Sequence, residues 1–276
     1  MKNILVPTDF SELASYGLEI ALKFKNAINS KLHLLKVIET AGDTIFDLEG
    51  KPKDNCTETD LTHLYIESDS AIEKMTEWAN DPSNEITKSV LIGPVKDSIK
   101  KYIKENNIDL LIMPTSGATG FKDWFSNSKT ASLSQELEIP VLSLKCDRSS
   151  TLLENIMLGG DFTEKNPEKL DMALSLQKAF SSKLHLVHIN TPNNLISSRE
   201  ANTILESFAQ KHSIRNYSIH VYSDEDLEKG ITHYAEDYEI DLICVKNNKN
   251  MVQNFFHRNL TRSIVNHIYF PVLTLN

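Results

Sequence analysis

Short apolar runs alternate with longer amphipathic stretches along the whole chain. Short apolar runs at 4–6, 32–38, 86–92, 110–113 and 141–144 read as buried strands. Between them, 11–28, 67–79, 95–105 and 128–137 place apolar residues at helical spacing. In 95–105, Val95, Ile99, Tyr102 and Ile103 fall on one face. The alternation returns with strands at 156–158, 184–189, 218–222, 242–245 and 272–275, and helices at 164–180, 197–211, 224–238 and 258–267. Strands alternating with helices predict an α/β fold, with a parallel sheet covered on both faces and right-handed crossovers. Ligands of such sheets bind beyond the carboxyl ends of the strands, where the winding direction switches. That points to the loops at 7–10, from 39 onward, 93–94 and 114–127, with their second-half counterparts.

The second half repeats the first in letters as well as in pattern. Positions 3–12 return at 155–164, 18–22 at 170–174, and 30–34 at 182–186, all at one offset; 108–111 return at 240–243. A repeat this long is a duplicated domain, because solenoid units run only about 20–50 residues. The expected layout is two doubly wound five-stranded parallel-sheet domains, 1–146 and 150–276, related by a pseudo-two-fold axis. Residues 41–66 have no counterpart in the second copy. They are rich in Gly, Asp, Lys, Thr and Pro, and read as a surface excursion or as a lid following the second strand.

Composition narrows the function. The chain of 276 residues is 40% hydrophobic and 24% charged, as expected of a globular protein. Its net charge of −9 is spread over both halves: residues 1–146 carry 16 Lys and 22 acidic side chains, the remainder 13 basic and 16 acidic. An acidic chain argues against nucleic acid as a partner, though not against a small nucleotide. No apolar stretch is long enough for a membrane span or an export signal. Cys56, Cys146 and Cys244 share no motif, so a reducing cytoplasm is expected.

Few residues signal chemistry. Asp9 and Asp161 each follow the first strand of a copy, where an aspartate can meet a ligand or cap the next helix. His33 and His185 sit at matching strand positions among apolar neighbours, without partners at metal-ligand spacing, and read as packing. Gly159-Gly160-Asp161 reads as a tight turn. Lys246, Lys249 and Arg258 read as a solvated basic loop. Trp124-Phe125 and Phe255-Phe256 read as anchors for the loops before each last helix. No Gly-x-x-x-x-Gly-Lys-Ser/Thr loop and no nucleophile–base set is present.

One resemblance covers the chain apart from 41–66. The run Ile4-Leu5-Val6-Pro7-Thr8-Asp9-Phe10-Ser11, then Lys31–Ile38, Gly93-Pro94, Ile108–Met113 and Ile139-Pro140-Val141-Leu142, resembles the universal stress protein family, as a tandem two-domain member. The resemblance implies an adenine nucleotide alpha hydrolase-like fold, with the two final strands pairing across the copies as an intramolecular pseudo-dimer that can dimerise further. Nucleotide-binding members carry a Gly-x-x-Gly, nine residues, Gly-Ser/Thr loop after the fourth strand. There, glycine backbones approach phosphate at a helix N-terminus. Here that loop falls on Pro114-Thr115-Ser116-Gly117 and Asn127-Ser128: the second glycine and the hydroxyl are kept, and proline and asparagine replace the other glycines. The second copy has no glycine in this region. The resemblance therefore implies a regulatory adenine-nucleotide site, for ATP or AMP, in the first half. It would be lined by Pro7, Thr8, Asp9, Val37, Gly93, Met113, Gly117, Asn127 and Ser128. A nucleotide-free interaction scaffold is the second expectation, favoured by Pro114 and Asn127. Slow nucleotide hydrolysis ranks last, because no catalytic set is visible.

Overall fold

The computed structural model describes residues 3–39, 52–54, 56–80, 85–114, 133, 136–144, 151–160, 162, 170–246 and 269–276. In the first half, the strands are β1 (Asn3–Pro7), β2 (Lys31–Ile38), β3 (Thr87–Ile92), β4 (Leu110–Pro114) and β5 (Val141–Leu144). In the second they are β6 (Asn155–Gly159), β7 (Lys183–Asn190), β8 (Tyr217–Ser223), β9 (Leu242–Lys246) and β10 (Val272–Leu275). The helices are α1 (Glu12–Ile28), α2 (Glu58–Trp78), α3 (Val95–Glu105), α4 (Asp171–Phe180), α5 (Ser198–Lys211) and α6 (Leu227–Asp237).

All ten strands form one sheet, in the order β3-β2-β1-β4-β5-β10-β9-β6-β7-β8. Pairing is parallel within each half and antiparallel at the seam, where Leu142 faces Leu273. The seam is the strand pair the resemblance implied. Each half winds outward in both directions from its first strand, so β1/β4 and β6/β9 are the two switch points. The inner strands are buried on both faces, which explains why they are almost wholly apolar, with only Ser143 and Thr274 polar in β5 and β10.

The two faces of the sheet differ. On the α1 face, one apolar core runs across the seam from Ile4, Val6 and Phe24 to Leu158, Leu186 and Leu275. The Phe24 and Phe180 rings meet there at 5.7 Å, joining α1 to α4. On the opposite face the core is split. One cluster lies under α3 around Leu5, Val37, Ile99 and Met113, and another under α6 around Met157, Ile189 and Tyr234.

The hydrogen bonds also recur from half to half. The Asn3 N–H donates to Asp109 Oδ2 at 2.9 Å, and the Asn155 N–H to Asp241 Oδ2 at 2.9 Å. His33 Nδ1 meets the Tyr102 hydroxyl at 3.1 Å, and His185 Nδ1 meets the Tyr234 hydroxyl at 2.8 Å. Both histidines are buried packing groups, as their apolar neighbours suggested.

One element departs from the expectation. The apolar period predicted a helix over 67–79, but α2 begins at Glu58. Its start is fixed by a capping box: Thr57 Oγ1 accepts from the Asp60 N–H, and Asp60 Oδ2 accepts from the Thr57 N–H. This first stretch leaves Tyr65 and Ile66 exposed, so it carries no buried stripe to betray it. Residues 58–66 are thus helix rather than excursion; 40–51 lie outside the described residues.

Candidate functional site

The turn from β1 into α1 is tied at each residue. The Thr8 N–H donates to Leu35 O at 2.9 Å, extending the β1–β2 ladder by one bond. The Thr8 hydroxyl accepts from the Phe10 N–H at 2.9 Å, and the Asp9 carboxylate accepts from the Ser11 N–H at 2.9 Å. Ser11, not Asp9, is the helix cap: its hydroxyl accepts from the Ala14 N–H at 3.2 Å. Asp9 is therefore spared the capping role and stays half-buried at the strand's carboxyl end.

The neighbours of this turn set its electrostatics. The Lys36 ammonium lies 5.7 Å from the centre of the Phe10 ring. Burial pushes the Lys36 pKa down, against the opposing pull of Asp9 and Glu67, with Lys74 adding to the lowering. Neither Phe10 nor Lys36 was singled out in the sequence. An alternating strand position gives no warning that a lysine folds back over an aromatic ring.

The remaining predicted residues divide into three groups. Pro7 ends β1, Thr8 and Asp9 follow it, and Gly93 follows β3, with its N–H donating to Ile38 O at 3.0 Å. These surround the carboxyl ends of the strands near the β1/β4 switch. Val37 and Met113 sit on the α3 face at 0% and 1% exposure, inside the core rather than at an open surface. Gly117, Asn127 and Ser128 lie outside the described residues. Pro114 is described: its ring faces α1, where Cδ lies 3.5 Å from the position a Gly17 Cβ would take. The proline is thus turned away from the face that carries Val37 and Met113.

The two halves differ most after their third strands. Gly93 has φ +140, a conformation L side chains rarely adopt, and Pro94 stands at the N-cap of α3, where no side chain caps the helix. In the second half, the same backbone bond, from the Asp224 N–H to Asn190 O at 3.0 Å, puts an aspartate where the first half has glycine. Asp224 Oδ2 holds His233 Nδ1 at 2.7 Å, and the hydrogen bond to Asp224 raises the His233 pKa. The α6 N-terminus is closed by Asp226, whose carboxylate accepts from the Lys229 N–H at 2.8 Å. The α3 end has no side-chain cap, with Asp97 the acidic residue of its first turn, whereas the α6 end already holds the Asp226 carboxylate. The sequence carried this signal: Ser223-Asp224-Glu225-Asp226 stands against Ile92-Gly93-Pro94.

Lys246 also departs from its expected role. It occupies the end of β9, as Pro114 does β4, and its ammonium lies 5.5 Å from the centre of the Phe208 ring on α5. It packs on the α1/α5 side instead of lying in a solvated loop. Lys249 and Arg258 lie outside the described residues. Among the described residues, no group of three or more His, Cys, Asp or Glu side chains is placed to hold a metal ion, and no helix is long and apolar enough to cross a membrane.

Known proteins match this architecture. A universal stress protein of Methanocaldococcus jannaschii is 26% identical over 161 residues, spanning 52% of this chain and 94% of that one. The crystal structure of a universal stress protein from Archaeoglobus fulgidus superposes with a TM-score of 0.70 at 16% identity, covering 99% of this chain and 96% of the other. The crystal structure of a universal stress protein homologue from Pseudomonas aeruginosa superposes with a TM-score of 0.61 at 15% identity, over 100% of this chain and 93% of the other. These two likenesses speak for the fold. The model of the universal stress protein family matches residues 1–145, more than half of the sequence. The chain belongs to the universal stress protein family.

Proposed function

We propose that the first half binds an adenine nucleotide, ATP or AMP, as a regulatory ligand, and that the second half does not. The observation that carries this reading is the asymmetry of the two β3/β8 mouths. The first offers a glycine at φ +140 and an uncapped helix N-terminus. The second offers Asp224 and Asp226, two carboxylates that repel phosphate and occupy the backbone donors. Asp9 supplies an acceptor beside the first mouth for sugar hydroxyls, and Gly117, Asn127 and Ser128 would complete the phosphate side. Binding without turnover is the reading, because among the described residues no nucleophile–base pair accompanies Asp9. Cys56 and Cys244 are free thiols, which suits a cytoplasmic protein.

A nucleotide-free scaffold is the second reading. The full burial of Val37 and Met113 favours it, since an adenine ring beside them requires α3 to move. Calorimetric titration with ATP and with AMP separates the two. The nucleotide reading expects binding in the micromolar to low-millimolar range, about 4–8 kcal/mol, weakened at least tenfold in Asp9→Ala. No heat and no thermal shift at several millimolar of either ligand favours the scaffold.

A further inference from the structure

Phe10 is the feature the fold alone does not explain. It adopts φ +64, a left-handed backbone that a bulky residue reaches only when its surroundings impose it. Most other described left-handed residues, among them Asn29, Asn107 and Ser181, are small polar residues just past helix ends, and Leu153 is a second apolar one, ahead of β6. Phe10 lies at the opposite end, at the entry to α1 and next to Asp9. Strain of this kind persists where the surrounding structure over-determines it.

The surroundings are on three sides. The ring packs edge to face against Trp78 of α2, with centroids 5.9 Å apart and planes at 77°. The Trp78 Nε1–H donates to Ser15 Oγ of α1 at 2.9 Å, fixing that indole against the helix the turn leads into. The Lys36 ammonium covers the ring from β2. The backbone on either side of Phe10 is then locked: its own N–H is held by Thr8 Oγ1, and the next N–H, of Ser11, is held by the Asp9 carboxylate.

We propose that Phe10 is a positioning residue: its ring, clamped by Trp78 and Lys36, forces the left-handed turn that presents the Asp9 carboxylate at the carboxyl end of β1. The proposal rests on the nucleotide reading only for the ligand that Asp9 meets. The clamp couples three elements, β1, β2 and α2, to one carboxylate. A shift of α2 against α1 is felt at Asp9 through Trp78.

The experiment compares the wild-type chain with Phe10→Ala, Phe10→Tyr and Trp78→Leu. Amide hydrogen exchange is followed at Ser11 and at Ala21, and ATP and AMP are titrated in parallel. Phe10→Ala is expected to speed Ser11 exchange at least tenfold while leaving Ala21, in the middle of α1, unchanged, and to weaken nucleotide binding about tenfold. Phe10→Tyr keeps the ring and is expected to match the wild type in both. Trp78→Leu, far along the chain from Ser11, is expected to speed Ser11 exchange as well. Unchanged Ser11 exchange in Phe10→Ala and Trp78→Leu overturns the clamp and leaves the nucleotide reading untouched. A wild-type chain that binds neither nucleotide overturns that reading, and the exchange data then decide the clamp alone.

Discussion

Replacing Gly230 with alanine is expected to destabilise the protein by about 2 kcal/mol, whereas the same change at Gly17 is expected to stabilise it by about 0.5–1 kcal/mol. Both glycines lie inside helices, so propensity alone favours alanine at each. Their surroundings decide the sign. A Cβ at Gly17 would stand 3.5 Å from Pro114 Cδ and 3.8 Å from Val6 Cγ1, at ordinary contact distance. A Cβ at Gly230 would stand 2.4 Å from Ile189 Cγ2 and 3.2 Å from Asp224 Cβ. Ile189 is β-branched and buried in the α6 core, so its methyl cannot swing aside. Either α6 must lift from β7 or Ile189 must leave its rotamer. Thermal unfolding checks both variants, with a fall of roughly 5 °C for Gly230→Ala. Equal melting points for the two variants contradict the close approach of α6. The same approach brings Gly230 against Asp224, so Gly230→Ala also disturbs a residue of the second mouth.

The second large effect is a loss of stability in acid that depends on His185. Its ring is spanned by two hydrogen bonds, Nδ1 to the Tyr234 hydroxyl at 2.8 Å and Nε2 to Asn155 Oδ1 at 3.2 Å. The His220 ring stacks on it at 5.6 Å. Burial, then Lys183, then His220 push its pKa from 6.5 down to about 4. A folded pKa below the unfolded one means that the unfolded chain takes up the proton first as pH falls. The stabilisation is therefore complete above pH 6.5 and is lost between 6.5 and about 4, amounting to about 3 kcal/mol at most. His33, His212 and His220 are also lowered, chiefly by burial, and act in the same direction. His233, raised by Asp224, acts oppositely, but its side chain is 51% exposed and its effect is small. In His185→Phe, the protein should be less stable at pH 7, because Tyr234 and Asn155 lose a partner. Its stability should then fall less steeply between pH 6.5 and 4. Urea unfolding at stepped pH makes the comparison, and parallel profiles for the two proteins contradict the assignment.

Much of the architecture was legible because period and length carry it. The apolar runs at 4–6 and 110–113 read as buried strands, and the seam was what the family resemblance implied for the two final strands. His33 and His185 were readable as packing, because neither had ligands at metal spacing; their tyrosine partners lie in distant helices, which spacing cannot show. The start of α2 escaped because its signal is a capping box, Thr57 to Asp60, and its exposed Tyr65 and Ile66 break the apolar stripe. The candidate site was legible only in part. Asp9 and Gly93 could be placed at strand ends from the pattern, but the left-handed backbone of Phe10 could not, since nothing about a phenylalanine announces φ +64. The replacement of Gly93 by Asp224 was visible in the letters. It became meaningful only when the backbone bond to Asn190 aligned the two turns.

The central claim is that two similar halves carry unlike mouths, one open to an anion and one closed by its own carboxylates. Equilibrium dialysis with radiolabelled ATP at saturating concentration tests it most directly, because it counts sites. The account predicts about one nucleotide per chain, lost in Asp9→Ala and kept in Asp224→Ala. Two nucleotides per chain, or one that survives Asp9→Ala and disappears with Asp224→Ala, contradicts it.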